Sequence, residues 1–240
     1  MAGHSKWANI KHRKEKSDKA KGKIFSRISK EIISAVKQAG PDPKSNTRLR
    51  LVIQKAKAAN VPSDNIERNI KKASSADQAD YAELMYELYG YGGVGLLVEI
   101  MTDNKNRTSS DMRIATNKRG GTIATQGAVS FNFDKKGVIR LSKTSLKEED
   151  LFLIAMEGGA EDFEAVEDGY IITTAPESLF QMKEKLDEAH IQSDSFELQM
   201  IPKSYVDCSE EDLQANMALI DWLEDLDDVD AVYHNIKISE

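Results

Sequence analysis

The side chains best suited to chemistry lie close to the start of the chain. Trp7 stands beside Lys6; Lys11, His12, Arg13 and Lys14 follow, and Lys16, Lys19, Lys21 and Lys23 continue the run. An indole offers a face on which a base stacks, while ammonium and guanidinium groups neutralise phosphates and release condensed counterions. Interleaving the two suits nucleic acid, unpaired RNA above all. Trp7, Ile10 and Ile24 are the large apolar side chains before Phe25, too few for a core. This arm is therefore expected to fold, if at all, on a polyanionic partner. The other role open to Trp7 is to staple the arm onto the helices that follow.

A second polar, basic segment is Thr102-Asp103-Asn104-Lys105-Asn106-Arg107-Thr108, with Arg113, Lys118 and Arg119 beyond it. It reads as a loop entering a helix. Backbone N–H groups at a helix start, joined by Lys105 and Arg107, make an anion site; the alternative is a capping turn with solvated charges. Arg48 and Arg50, on an earlier expected helix, complete the set of candidate nucleic-acid contacts.

Charge is graded along the chain. Residues 1–72 hold 19 basic and 6 acidic side chains (+13), residues 73–146 hold 9 and 8 (+1), and residues 147–240 hold 5 and 26 (−21), for a net charge of −7. Such asymmetry suggests a nucleic-acid-facing part joined to a solubilising or partner-facing part. The acidic end should not bind a polyanion itself. It is expected to face a basic protein partner, or to shield the arm when no nucleic acid is present.

Other chemistries fit poorly. Gly90, Gly92 and Gly95 match G-x-G-x-x-G, but an apolar strand rather than a helix follows, so a hairpin turn is expected. Asp225, Asp227, Asp228 and Asp230 lack the glycine and closing glutamate of a calcium loop and read as an acidic helix end beside a solvated turn. His4, His12, His190 and His234 form no H-x-x-x-H pair, and Cys208 has no cysteine partner. Zinc is not expected, nor is any other metal or cofactor. No residue is assigned a catalytic role, and the protein is read as a non-enzyme, an enzyme using the cleft between the α+β domains being the third alternative. A single cysteine excludes an internal disulfide framework and fits a reducing compartment, with the cytoplasm the simplest. The basic N-terminus has no apolar stretch behind it and does not read as a secretory signal. No apolar run approaches the roughly 18 residues of a membrane span. A monomer is expected.

The elements that must position these residues follow from periodicity. Ile24, Phe25, Ile28, Ile32, Ile33 and Val36 recur at helical spacing up to Gly40-Pro41. Leu49, Val52, Ile53, Ala56 and Ala59 mark a second helix, and 65–73 a third, short and basic, with Asp64 and Glu67 as a capping box. The period then changes. Strands are expected over 83–89, 94–101 and 128–133, with a helix over 106–118 after the second. Next come a strand at 138–141, a helix at 147–156, strands at 162–166 and 170–174, a helix at 176–189 and a strand at 196–201. That β-α-β-β-α-β order is the ferredoxin-like split unit. A helix capped by Ser209 and a strand over 231–238 finish the chain. They are too small to fold alone and are expected to pair with the strands at 83–133. The expected fold class is α+β: an N-terminal helical domain (1–78) and two α+β domains, one discontinuous (79–134 with 205–240) and one ferredoxin-like and inserted in it (135–204).

The segment Gly3-His4-Ser5-Lys6-Trp7-Ala8-Asn9-Ile10-Lys11-His12-Arg13-Lys14 resembles the N-terminal signature of the YebC family. Lys55-Ala56-Lys57-Ala58-Ala59-Asn60, Asp64-Asn65-Ile66-Glu67-Arg68 and the 102–108 segment are also similar to family segments, so the resemblance spans essentially the whole chain. Tyr91 stands where the family pattern has proline and Ala128 where it has serine, which affects local turns only. The resemblance implies three domains, the third inserted in the second. It also implies a cytoplasmic DNA-binding transcriptional regulator; a mitochondrial branch is described as translational activators, and bacterial members have been linked to the ribosome. No catalytic activity is attached to the family. The expected partner is thus DNA, or ribosomal RNA in a translation factor.

Overall fold

A computed structural model describes residues 21–75, 80–143 and 147–238. Trp7 and the other arm residues from Lys6 to Lys19 lie outside them. The described chain divides into two compact units, residues 132–203 and the remainder, built around three apolar cores.

In the larger unit, helices α1 (Lys21–Ala39), α2 (Thr47–Ala58) and α3 (Ser63–Ala73) come first. Ile28, Ile32, Leu49 and Ala56, all buried, close their shared core. Helix α1 ends at Gly40, whose φ of +87° suits a residue without a Cβ. Buried Asn46 then holds the corner. Its side-chain oxygen accepts from the Leu49 N–H at 2.9 Å, and its amide donates to the Ala35 and Gly40 carbonyls at 2.8 and 2.7 Å. One side chain thus caps α2 and satisfies the end of α1. The expected capping box at Asp64 and Glu67 is not formed. Pro62 is the N-cap and makes no side-chain bond, its carbonyl accepting from the Asn65 and Ile66 N–H groups. The helix therefore starts early enough to place Asp64 inside its first turn.

The same unit contains an antiparallel sheet ordered β3-β1-β2-β8, from β1 (Ala82–Tyr89), β2 (Gly95–Thr102), β3 (Thr122–Ile123) and β8 (Val229–His234). β1 and β2 form the expected hairpin, Tyr89 opposite Gly95. Helices α4 (Lys105–Arg119) and α7 (Glu210–Asp225) pack on the sheet through Met112, Ala115, Leu219, Ile220 and Leu223. Ser209 caps α7, its hydroxyl oxygen accepting from the Asp212 N–H at 3.1 Å. β8 starts earlier than expected and ends at His234, after which Ile236 bridges Val206.

The expected strand over 128–133 is absent. Residues 126–129 form a turn and Ser130–Asn132 a 3-10 helix, because the chain wraps around the buried Glu87 carboxylate of β1. That carboxylate accepts N–H bonds from Gly127, Val129 and Ser130 at 2.7, 2.6 and 2.9 Å. Burial pushes its pKa up, but these bonds outweigh burial and hold it below the usual value. Amides committed to one carboxylate cannot extend into a ladder.

The smaller unit runs β4 (Phe133–Ser142), α5 (Glu148–Glu157), β5 (Ala160–Val166), β6 (Gly169–Thr174), α6 (Leu179–Glu188) and β7 (Ser195–Pro202). Its sheet is antiparallel and ordered β5-β6-β4-β7. Leu151 and Ala155 of α5 and Met182 and Leu186 of α6 bury the sheet residues Ile139, Leu141 and Ile172. In sequence this unit lies between β3 and α7 of the other sheet. Among the described residues no helix is long and apolar enough to cross a membrane.

Candidate nucleic-acid interface

Two sets of cations stand out in the larger unit. The inward set meets carboxylates where α1 and α4 approach the start of β8. Asp228, with its side chain 7% exposed, accepts Arg107 Nη2 at 2.8 Å through Oδ1 and Arg107 Nε at 3.1 Å through Oδ2. The Thr102 and Thr108 hydroxyls donate to Oδ2 at 3.0 and 2.9 Å, and Lys30 Nζ stands 3.7 Å away. Lys30 also donates to the Asp227 carbonyl at 2.7 Å and the Met101 carbonyl at 3.3 Å. The expectation of a solvated acidic turn at 225–230 is thereby corrected for Asp228. Burial raises its pKa, but Arg107 and the two hydroxyls outweigh burial and hold it below the ordinary aspartate value.

One helical turn away, Arg27 Nε pairs with Glu31 at 3.0 Å and lies 3.8 Å from the Asp230 carboxylate, while its Nη1 donates to the Asp230 carbonyl at 2.9 Å. Lys55 Nζ reaches Glu31 at 2.6 Å. Burial opposes ionisation of Glu31, yet Lys55 and Arg27 together keep its pKa lowered. Asp230 fares differently. Burial, with Glu31 adding to it, outweighs Arg27, Lys55 and Lys30 and pushes its carboxyl up to about 6.

The outward set is unpaired. Among the described residues Arg50, Lys57, Arg68, Lys71, Lys72 and Lys105 are exposed and form no ion pair. The positions singled out in the sequence therefore divide. Arg50 and Lys105 are open to solvent. Arg48 pairs with Glu83 and donates to the Gln38 side chain at 2.7 Å. Arg107 is held by Asp228 and by Asp103 at 2.9 Å. Lys21 and Lys23 fall in the first turn of α1, their side chains outside the described residues. Of the two readings for the 102–108 segment, the capping turn is formed: Asn104 accepts from the Asn106 and Arg107 N–H groups, each at 3.1 Å. Arg119 lies over the Trp222 ring at 5.1 Å.

Sequence reading missed the inward set because its partners are far apart; Arg107 and Asp228 are separated by 121 positions. It also passed over Arg68 and Lys72, which are exposed on α3 and whose helical spacing was visible. The geometry does not activate Cys208. Burial, then Asp212 and Asp207, raise the Cys208 pKa, which disfavours the thiolate. Among the described residues no group of three or more His, Cys, Asp or Glu could hold a metal ion.

Residues 5–76 match the family model described as the TACO1/YebC protein N-terminal domain, and residues 81–236 the one described as the TACO1/YebC second and third domain. A probable transcriptional regulatory protein of Protochlamydia amoebophila is 65% identical over 240 residues, covering 100% of this chain and 98% of the relative. A protein of the same description from Chlamydia pneumoniae is 58% identical over 238 residues, 99% and 100% of the two chains. The crystal structure of a conserved hypothetical protein from Aquifex aeolicus matches with a TM-score of 0.83 at 40% identity, over 92% of each chain.

Proposed function

The chain belongs to the TACO1/YebC family, and from that premise we propose that it is a non-enzymatic regulator acting by binding nucleic acid. The leading form of the reading is a DNA-binding transcriptional regulator, in line with the description of its relatives as probable transcriptional regulatory proteins. The observation that carries it is the sorting of cations. Buried carboxylates consume Arg27, Lys30 and Lys55, while Arg50, Lys57, Arg68 and Lys72 stay exposed on the same three helices, continuous in sequence with the basic arm. Exposed, unpaired cations on one element are the electrostatic footprint of a polyanion site.

In this reading Lys6, Lys11, His12, Arg13, Lys14, Lys16, Lys19, Lys21 and Lys23 hold phosphates and Trp7 stacks, with Arg50 and Lys105 adding charge. Arg48 and Arg107 would have to share themselves with Glu83 and Asp228. We read the three cores as three domains, 1–78, 79–134 with 205–240, and 135–204, the last ferredoxin-like. The acidic C-terminal part faces a basic protein partner. The protein is placed in the cytoplasm as a monomer. A second reading, an RNA- or ribosome-associated translation factor, is favoured by one observation: an aromatic inside a tethered basic arm suits unpaired RNA. Crosslinking in cells followed by sequencing of the bound nucleic acid separates the two. Reads dominated by promoter DNA support transcription, and reads dominated by ribosomal RNA would replace it with translation.

A further inference from the structure

We infer that the groove between α1 and α3 is a dedicated site for one phosphate and its neighbouring base in an unpaired nucleic-acid strand, an inference that rests on the nucleic-acid reading above. Asn65, Arg68, Asn69 and Lys72 recur at i, i+3, i+4 and i+7 along α3, which sets them on one stripe of the helix. All four line a groove of about 150 Å³ whose opposite wall includes Phe25 and Ser29 of α1. Asp64, Glu67 and Lys71 share the next stripe, also at three- and four-residue spacing. The groove stripe therefore carries two cations and two amides without a carboxylate, while Lys71 shares its stripe with two acids.

The geometry is prepared rather than incidental. Asn69 donates to the Ser29 hydroxyl at 2.8 Å, fixing the α3 side chain against α1. The Asn65 side chain has no hydrogen-bond partner among the described residues, and Arg68 and Lys72 have no ion-pair partner there. A phosphate would neutralise Arg68 and Lys72, and the Asn65 amide supplies a further donor. Phe25 is half-buried and is one of the residues that line the groove. Aromatic rings serve unpaired bases as a stacking surface without sequence preference. A groove of this size takes one phosphate at Arg68 and Lys72 beside Phe25, and the neighbouring base is free to stack there only in an unpaired strand.

Equal changes of charge at different places test this. Arg68→Gln, Lys72→Gln and Lys71→Gln each remove one positive charge from the surface of α3. Affinity of the full-length protein for a single-stranded oligonucleotide is measured against salt, with a melting curve on each variant to verify folding. Arg68→Gln and Lys72→Gln should each reduce the log–log salt slope by about 0.7 and the affinity about four-fold at roughly 0.15 M salt. Lys71→Gln should change affinity less than about two-fold. Phe25→Leu, which keeps an apolar side chain in the core, should weaken a base-bearing strand about five-fold or more and an abasic strand much less. Equal losses from Lys71→Gln and Arg68→Gln would overturn the groove in favour of diffuse charge. Unchanged binding in all the variants would overturn the groove yet leave the nucleic-acid reading standing. A parent protein that binds neither single strands nor duplex would overturn both.

Discussion

Arg27, Lys30 and Lys55 of the helical bundle, and Arg50, Arg68 and Lys72 of the same bundle, come from one basic stretch and are chemically alike. The first three are consumed. Glu31, Asp228 and Asp230, all largely buried, meet them at 2.6–3.8 Å. The second three meet no carboxylate among the described residues and stand in solvent or at a groove. The lesson is that a count of positive charge does not measure binding surface. What decides is where the fold supplies buried acids. Arg27 and Lys30 join the helical bundle to the sheet, Lys55 ties α2 to α1, and the outward cations remain available to a partner.

Changes on the inward side should move stability without moving affinity. The largest expected effect is Asp228→Ala, which takes the buried carboxylate from Arg107 and Lys30 and removes the acceptor of two threonine hydroxyls. Breaking a buried pair costs about 3–5 kcal/mol; because the Arg107 side chain is 48% exposed, the lower figure is expected, with a melting temperature lower by roughly 6–10 °C. An unchanged melting curve would remove the inward set as a structural clasp.

On the outward side Trp7→Ala should do the reverse. It should weaken nucleic-acid binding by about 1–3 kcal/mol and leave the melting temperature almost unchanged. A loss of stability with intact affinity would instead assign Trp7 to packing.

Asp230 sharpens the comparison from within the inward set. Its folded pKa of about 6 lies above the unfolded aspartate value of about 3.9. The folded state then holds the extra proton between those values, so stability from this group is present at low pH and falls as pH rises from about 4 to 6. Asp230→Asn should stabilise the protein at neutral pH, on the order of 2 kcal/mol, and flatten that part of the difference profile. Arg27 would retain Glu31 and the Asp230 backbone carbonyl. A destabilised Asp230→Asn protein at pH 7 would show that the carboxylate charge itself is needed. Smallest of all is Arg50→Gln, expected to lower affinity about four-fold through one lost phosphate contact and to leave thermal stability alone. Equal affinity would take Arg50 out of the surface.

Legibility in the sequence followed the same division. Helix α1, the β1–β2 hairpin, the Ser209 cap and the β4–β7 element order were readable because apolar period and turn residues are local signals. The wrapped segment at 126–132 was not, since apolar alternation there imitates a strand and the cause is a carboxylate about forty positions earlier. Asn46 and Asp228 were unreadable for the same reason. A polar residue in a polar stretch looks solvated until its partner on another element is known. The α3 stripe could have been found, because three- and four-residue spacing is as visible for Asn65, Arg68, Asn69 and Lys72 as for the leucines and isoleucines of a core.

The proposed role of Arg50, Arg68, Lys72 and the arm is to hold nucleic acid, where the bulk charge of the chain does not. It is tested most directly by the salt dependence of binding with and without residues 1–20, a deletion that leaves α1 whole because that helix begins at Lys21. The protein lacking the arm should bind at least about ten-fold more weakly at moderate salt. Its slope of log affinity against log salt should be shallower by about 0.7 on single strands, or 0.9 on duplex, for every phosphate contact removed. Unchanged affinity with an unchanged slope would contradict the claim and place the contact surface elsewhere on the chain.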